Sequence, residues 1–290
     1  MKTTAKLATV ACAVMLASTL QGCGGSAETK SNFDGVDVSQ PVTDWVMVWN
    51  DEFDGAAINS NKWNYEINCA GGGNNEKQCY TDNSENAFVK DGVLNIVALP
   101  AEEGAEKPYT SARLTTQHKA DFKYGRFEMR AKLPYGQGSW PAFWMMPTDS
   151  VYGDWPRSGE IDIMEFYIKD QKQSILANAA WLGGNIKPKW NSKVKLLSYF
   201  LAKDPKWLDK FHVWRMDWDE EAIKIYIDDE LINNVSTAKT LNPDGTNPFQ
   251  QEHYFLLNLA IGGDNGGDPK DSKFPIIYQI DYVRVYQKEK

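Results

Sequence analysis

Past its N-terminal segment the chain alternates apolar and polar side chains in short runs, the period of strands with one buried face. The clearest run is Gly125 to Leu133, with Phe127, Met129, Ala131 and Leu133 on one side and Arg126, Glu128, Arg130 and Lys132 on the other. Leu94, Ile96 and Ala98 repeat the pattern after Asp91-Gly92, and Ile223, Ile225 and Ile227 do so before a candidate hairpin turn at Asp228-Asp229. Val283 and Val285 alternate with Tyr282, Arg284 and Tyr286 near the C-terminus. Turn signals such as Asn242-Pro243-Asp244-Gly245 and the glycine-rich Gly262 to Gly267 separate such runs. Only the stretch around Lys193 to Leu201 reads as a helix. Many short strands between glycine-rich turns predict an all-β sandwich of two antiparallel sheets. With no internal repeat and no second linker, one domain over residues 39–290 is the simplest partition.

The N-terminus follows a different pattern. Lys2 and Lys6 precede an uncharged apolar run, Leu7 to Leu20, too short for a membrane span. It ends in Leu20-Gln21-Gly22-Cys23, which resembles the lipobox of bacterial lipoproteins. That resemblance implies a signal peptide over 1–22, lipidation of Cys23 and a small polar tether over 23–38. It would hold the protein at the bacterial cell envelope, on the outer membrane or cell surface, with the anchor as its only membrane contact. An ordinary signal peptide with an incidental cysteine is the alternative. Of the other cysteines, Cys69 and Cys79 bracket a Gly- and Asn-rich loop. Outside the cytoplasm they can form a disulfide; two free buried thiols are the other reading, and geometry decides.

Charge narrows the partners. The 290 residues carry a formal −8, and −10 once residues 1–22 are removed with their two lysines. An acidic chain without a basic stripe repels phosphate backbones, so a nucleic-acid partner is not expected, whereas a neutral polymer suits the charge. The three histidines, His118, His212 and His253, have no metal-ligand spacing, which disfavours zinc hydrolysis; His212 reads as a packed core residue. Gly71-Gly72-Gly73 lacks the Lys-Ser/Thr ending of a phosphate loop and reads as a flexible rim. Eleven Trp and thirteen Tyr supply flat rings that pack cores and also stack on sugar faces.

The informative segment is Ser158-Gly159-Glu160-Ile161-Asp162-Ile163-Met164-Glu165-Phe166. In a regular strand Glu160 and Asp162 share a face, while Glu165 would join Ile161 and Ile163 in the core, a costly place for a charge. One residue bulged out near Met164 restores the parity and sets all three acids on one face. Glycosidic cleavage needs two carboxyls, one ionised and one protonated. Crowding anions on one face raises at least one pKa, which supplies the protonated member. A solvated acidic strand and a calcium site are the other readings of these three acids. Upstream, Trp140, Ala142 and Trp144 share a strand face, and Asp154-Trp155-Pro156-Arg157 leads into the acids. Aromatic walls beside paired carboxyls suit a polysaccharide cleft, although packing in the core is the commoner role of a tryptophan.

These residues resemble glycoside hydrolase family 16, in its laminarinase-like branch. The likeness runs through Trp49-Asn50-Asp51-Glu52-Phe53-Asp54-Gly55, Tyr109 to Leu114, Tyr124 to Glu128, Trp140 to Met145, Trp155 to Glu165 and Asp281 to Tyr286, in that order along the chain. It implies a β-jelly-roll with an open cleft across a concave sheet. It also implies endo-acting, retaining hydrolysis of β-1,3 or mixed β-1,3/1,4 glucans such as laminarin and cereal-type β-glucan. Glu160 would be the nucleophile, Glu165 the acid/base and Asp162 the residue tuning the pair, with no catalytic cofactor. By the same likeness Trp140, Trp155 and Arg157 would contact sugar, and a structural calcium would sit at Glu52, Gly92 and Asp281. The chain departs from the pattern after the acids: where the branch has a strand with a histidine, it reads Asn178-Ala179-Ala180-Trp181-Leu182-Gly183-Gly184. There Asn178 and Trp181 would reshape the subsites, and the insert from Asn185 to Lys206 would add a cleft-edge loop. The chain is taken as a monomer. A noncatalytic glycan-binding protein on the same fold would keep the tryptophans without needing both glutamates, and a galactan hydrolase would call for more cleft Arg and Lys.

Overall fold

The Gly125–Lys132 strand carries its alternation into three dimensions. Phe127, Met129 and Ala131 are fully buried, while Arg126 pairs with Asp217 and Arg130 with Asp281 on the other face. The same arithmetic repeats through the computed structural model, which describes residues 44–184 and 187–289. The signal peptide, Cys23 and the tether lie outside the described residues. Sheets of ten and eight strands enclose one apolar core drawn from both. Pairing is antiparallel apart from Gln78–Tyr80 against Tyr109–Ser111.

Hairpins fix the register. At Asp91-Gly92, Asp170-Gln171 and Asp228-Asp229 both central residues have positive φ, the requirement of a type I′ turn, whose twist matches that of paired strands. The middle one joins the acid strand, Glu160–Lys169, to Lys172–Leu182. Between the sheets the core is densely aromatic. Phe255, fully buried, has ring centroids 5.3 Å from Phe143, 5.6 Å from Phe127 and 5.8 Å from Phe122. Phe127 comes from the ten-stranded sheet and the others from the eight-stranded one, so this ring bridges the layers.

One expectation changes. Pro188–Leu196 is a strand, paired from Ser174↔Leu196 to Leu182↔Pro188, and the helix begins only at Leu197, ending at Lys203. Pairing with a neighbouring strand overrides local helix preference here, and the Lys193-Val194-Lys195-Leu196 alternation fits a period of two. The insert is therefore an edge strand and a short helix, not a loop. Lysines at 189, 193 and 195 dot that edge, a common protection against pairing with another chain. Gly71–Gly73 form a tight turn in which all three glycines have positive φ and the N–H groups of Asn74 and Glu76 bond back to the Gly71 carbonyl. Cys69 and Cys79, just outside it, are joined by a disulfide.

Candidate active site

The face of the eight-stranded sheet turned away from the core holds an open cleft of about 700 Å³ that includes Glu160, Asp162 and Glu165. A bulge brings them to one side. Asp162 pairs with Asn178 and Glu165 with Leu176, so Ile163 and Met164 together face the single residue Ala177. On the other flank Trp144 pairs with Asp162 and Phe143 with Met164, which leaves Ile163 as the extra residue. Ile161, Ile163 and Met164 are fully buried behind the acids.

Each carboxyl has its own surroundings. Glu165 accepts Trp140 Nε1 at 3.0 Å on one oxygen and Asn178 Nδ2 at 2.7 Å on the other. Burial, with the charge of Glu160 adding to it, pushes its pKa up to about 7 against the pull of those two donors. Glu160 accepts Trp155 Nε1 at 2.5 Å. Burial raises it too, opposed by that indole, by Asp162 and by the Arg113 charge. Asp162 lies deepest, at 2 % exposure. Burial and then the charges of both glutamates hold it well above the usual carboxylate range. Three anions crowded in this pocket repel one another, so at least one of the three carboxyls holds a proton. A proton on Asp162 would remove a repulsion that both glutamates otherwise feel.

The expected sugar contacts divide. Trp140, Trp144 and Trp155 all line the cleft, but Trp140 is only 6 % exposed and directs its N–H to Glu165. Trp144 donates to Asn258 at 2.7 Å, with the Arg113 guanidinium over its ring. Trp155 is half exposed. Arg157 is a correction: its guanidinium turns to Asp244 and does not join the lining. Trp181 is another. In its strand Ile175, Ala177, Ala179 and Trp181 face the core, so strand parity buries it. Trp190, on the neighbouring edge strand, lines the cleft in its stead. Glu76 was also missed. Nearly buried, it lines the far end of the cleft and accepts Gln78 Nε2 and Tyr80 Oη, while a Cβ on Gly72 would overlap its carboxyl. Its only sequence signal was the Gly-rich turn before it.

The strand register brings Glu52 and Asp281 to one corner of the ten-stranded sheet, with Gly92 in the turn before Val93–Pro100. There Arg284 donates to both oxygens of Glu52, at 2.9 and 2.7 Å, and Arg130 pairs with Asp281. Both carboxylates thus already carry guanidinium partners, so as placed these two side chains are not free ligands for a calcium ion.

Comparison with known proteins agrees with this architecture. The sequence profile of Glycosyl hydrolases family 16 matches residues 73–284. The chain is 37% identical to "Glucan endo-1,3-beta-glucosidase A1" of Niallia circulans over 84% of its own length, but spans only 38% of that longer relative. It is 38% identical to a "Beta-glucanase" of Rhodothermus marinus, covering 87% of this chain and 89% of that one. Among solved structures, the laminarinase catalytic domain from Thermotoga maritima superposes with a TM-score of 0.73 at 35% identity, over 85% of this chain and all of that one.

Proposed function

The chain belongs to glycosyl hydrolases family 16, and from that premise we propose that it is an endo-acting β-glucanase cleaving β-1,3 or mixed β-1,3/1,4 glucans with retention at the anomeric carbon. Its fold is the β-jelly-roll of its structural neighbours. The observation that carries the reading is the pair of glutamates turned to one cleft with unlike surroundings. In the proposed cycle Glu160, the anion, attacks the anomeric carbon while Glu165 gives its proton to the departing glycosidic oxygen. Glu165, now a carboxylate held by Trp140 and Asn178, then takes a proton from the water that releases the sugar from Glu160. Asp162 stays protonated between them. Both steps run on carboxyl groups alone, and no cofactor is required.

The test is product sizing after incubation with laminarin, mixed-linkage glucan, agarose and carrageenan. We expect a ladder of short oligosaccharides from one or both glucans, born as the β-anomer by NMR, and none from the galactans. A glycan-binding protein without activity would bind the glucans and release nothing. The ionised Glu160 in the cleft also disfavours sulfated polymers.

The surroundings of Glu165 set a pH dependence. Its acid form is required, so kcat/KM should fall as pH rises through the raised pKa of about 7, and fall again on the acid side as the Glu160 nucleophile, itself raised by burial, takes up a proton. Asn178 donates to the anion and thus holds that pKa down. Asn178→Ala should move the alkaline limb upward; a limb that stays put or moves down counts against the assignment. Cys23 is proposed as the lipid anchor, and Cys23→Ala should release the protein from membranes into the soluble fraction. Retention of that variant on membranes would reject the lipobox reading.

A further inference from the structure

Two tryptophans at one end of the cleft are unlike the rest. Most of the other indoles are buried, whereas Trp155 is 47% exposed and Trp190 is 43% exposed, with ring centroids 6.5 Å apart and planes tilted by 52°. Trp190 stands in register with Ala180, and Ala180 with Glu160, so one row crosses three strands from the acid to the edge of the sheet. Ala180 is fully covered and offers no wall of its own. Two strand spacings separate Glu160 from Trp190, roughly 10 Å at the backbone. That is the reach of a neighbouring sugar unit, not of the ring whose bond is cut. The indole N–H of Trp155 bonds Glu160, which fixes one ring of the pair to the reacting centre.

We propose that Trp190 and Trp155 form a sugar subsite next to the reacting one, in which a β-linked glucosyl unit lays its flat apolar face against the open V of the two rings. This rests on the β-glucanase reading and adds to it a residue, Trp190, supplied by the inserted edge strand. Large apolar rings left open to water beside a cleft mark a surface that is covered in use. A pyranose whose hydroxyls are all equatorial presents an apolar face that two such rings can desolvate. An axial hydroxyl, as at C4 of a galactosyl unit, disrupts one face of the ring and leaves the other.

The experiment follows a series of linear gluco-oligosaccharides of increasing length, using the full chain and its Trp190→Ala and Trp190→Phe variants. Trp190→Ala should lower kcat/KM about tenfold on polymer and on oligomers long enough to reach the pair, in line with the loss of an aromatic anchor. The loss should shrink on oligomers too short to reach the pair, and Trp190→Phe should recover most of it. In the Glu160→Gln background, long gluco-oligosaccharide should quench tryptophan emission, and less so after Trp190→Ala. A loss independent of length, or no loss on polymer, overturns the subsite. Absence of hydrolysis by the unaltered protein defeats the parent reading instead, and the fluorescence arm, then run without the Glu160 change, still decides on the tryptophan pair.

Discussion

Glu160→Gln should reduce glucan hydrolysis by several orders of magnitude on every substrate, while Glu165→Gln should lose roughly 10³-fold on glucans and far less on an aryl glucoside with an acidic phenol as leaving group. The contrast follows from the two roles. A nucleophile is needed whatever departs, whereas a general acid, worth about 10²–10⁴ in rate, matters in proportion to how basic the departing oxygen is. Each tenfold loss is about 1.4 kcal/mol of barrier. Glu165→Gln also leaves one of two fixed donors, Trp140 Nε1 or Asn178 Nδ2, facing an amide NH₂. Its glucan affinity and thermal midpoint therefore belong beside its rate. Equal losses for the two variants on both substrate types would reject the division of labour, and an active Glu160→Gln protein would remove the nucleophile.

The largest effect on stability is expected from Phe255→Ala. The ring is fully buried and touches aromatic partners from both sheets. Removing it leaves a cavity that neighbours on two rigid layers cannot close, at a cost of about 3–5 kcal/mol. For a domain of this size that corresponds to a fall in Tm of roughly 6–10 °C. A calorimetric or urea-denaturation shift under about 1 kcal/mol would mean that the sheets collapse onto the gap and are less rigid than their packing implies.

How legible the molecule was depended on whether a feature is local. Strand parity read from residues alone agrees with the burial of Phe127, Met129, Leu94, Ile96, Ile223 and Ile225. The bulge could be inferred near Met164 because only an odd insertion keeps a carboxylate out of the core; the extra residue is Ile163. Features set by distant partners could not be read this way. Arg157 turns to Asp244, 87 positions along the chain, and the corner acids Glu52 and Asp281 meet arginines. Trp181 is a different case. Its burial follows from the parity of Ala177 and Ala179, but only once that segment is known to be a strand in this register. Trp190 was invisible because a strand inside an insert has no pattern beyond its pairing with the neighbour.

The bulge also bears on how such a sheet tolerates change. In an uninterrupted strand, gaining or losing one residue turns every later side chain inside out. Here the surplus is confined to Ile163 and Met164 opposite Ala177, and Phe166 beyond it is back among the core residues. The spacing between the two glutamates can therefore lengthen or shorten by one position as a self-contained edit, with both scaffold layers left as they were.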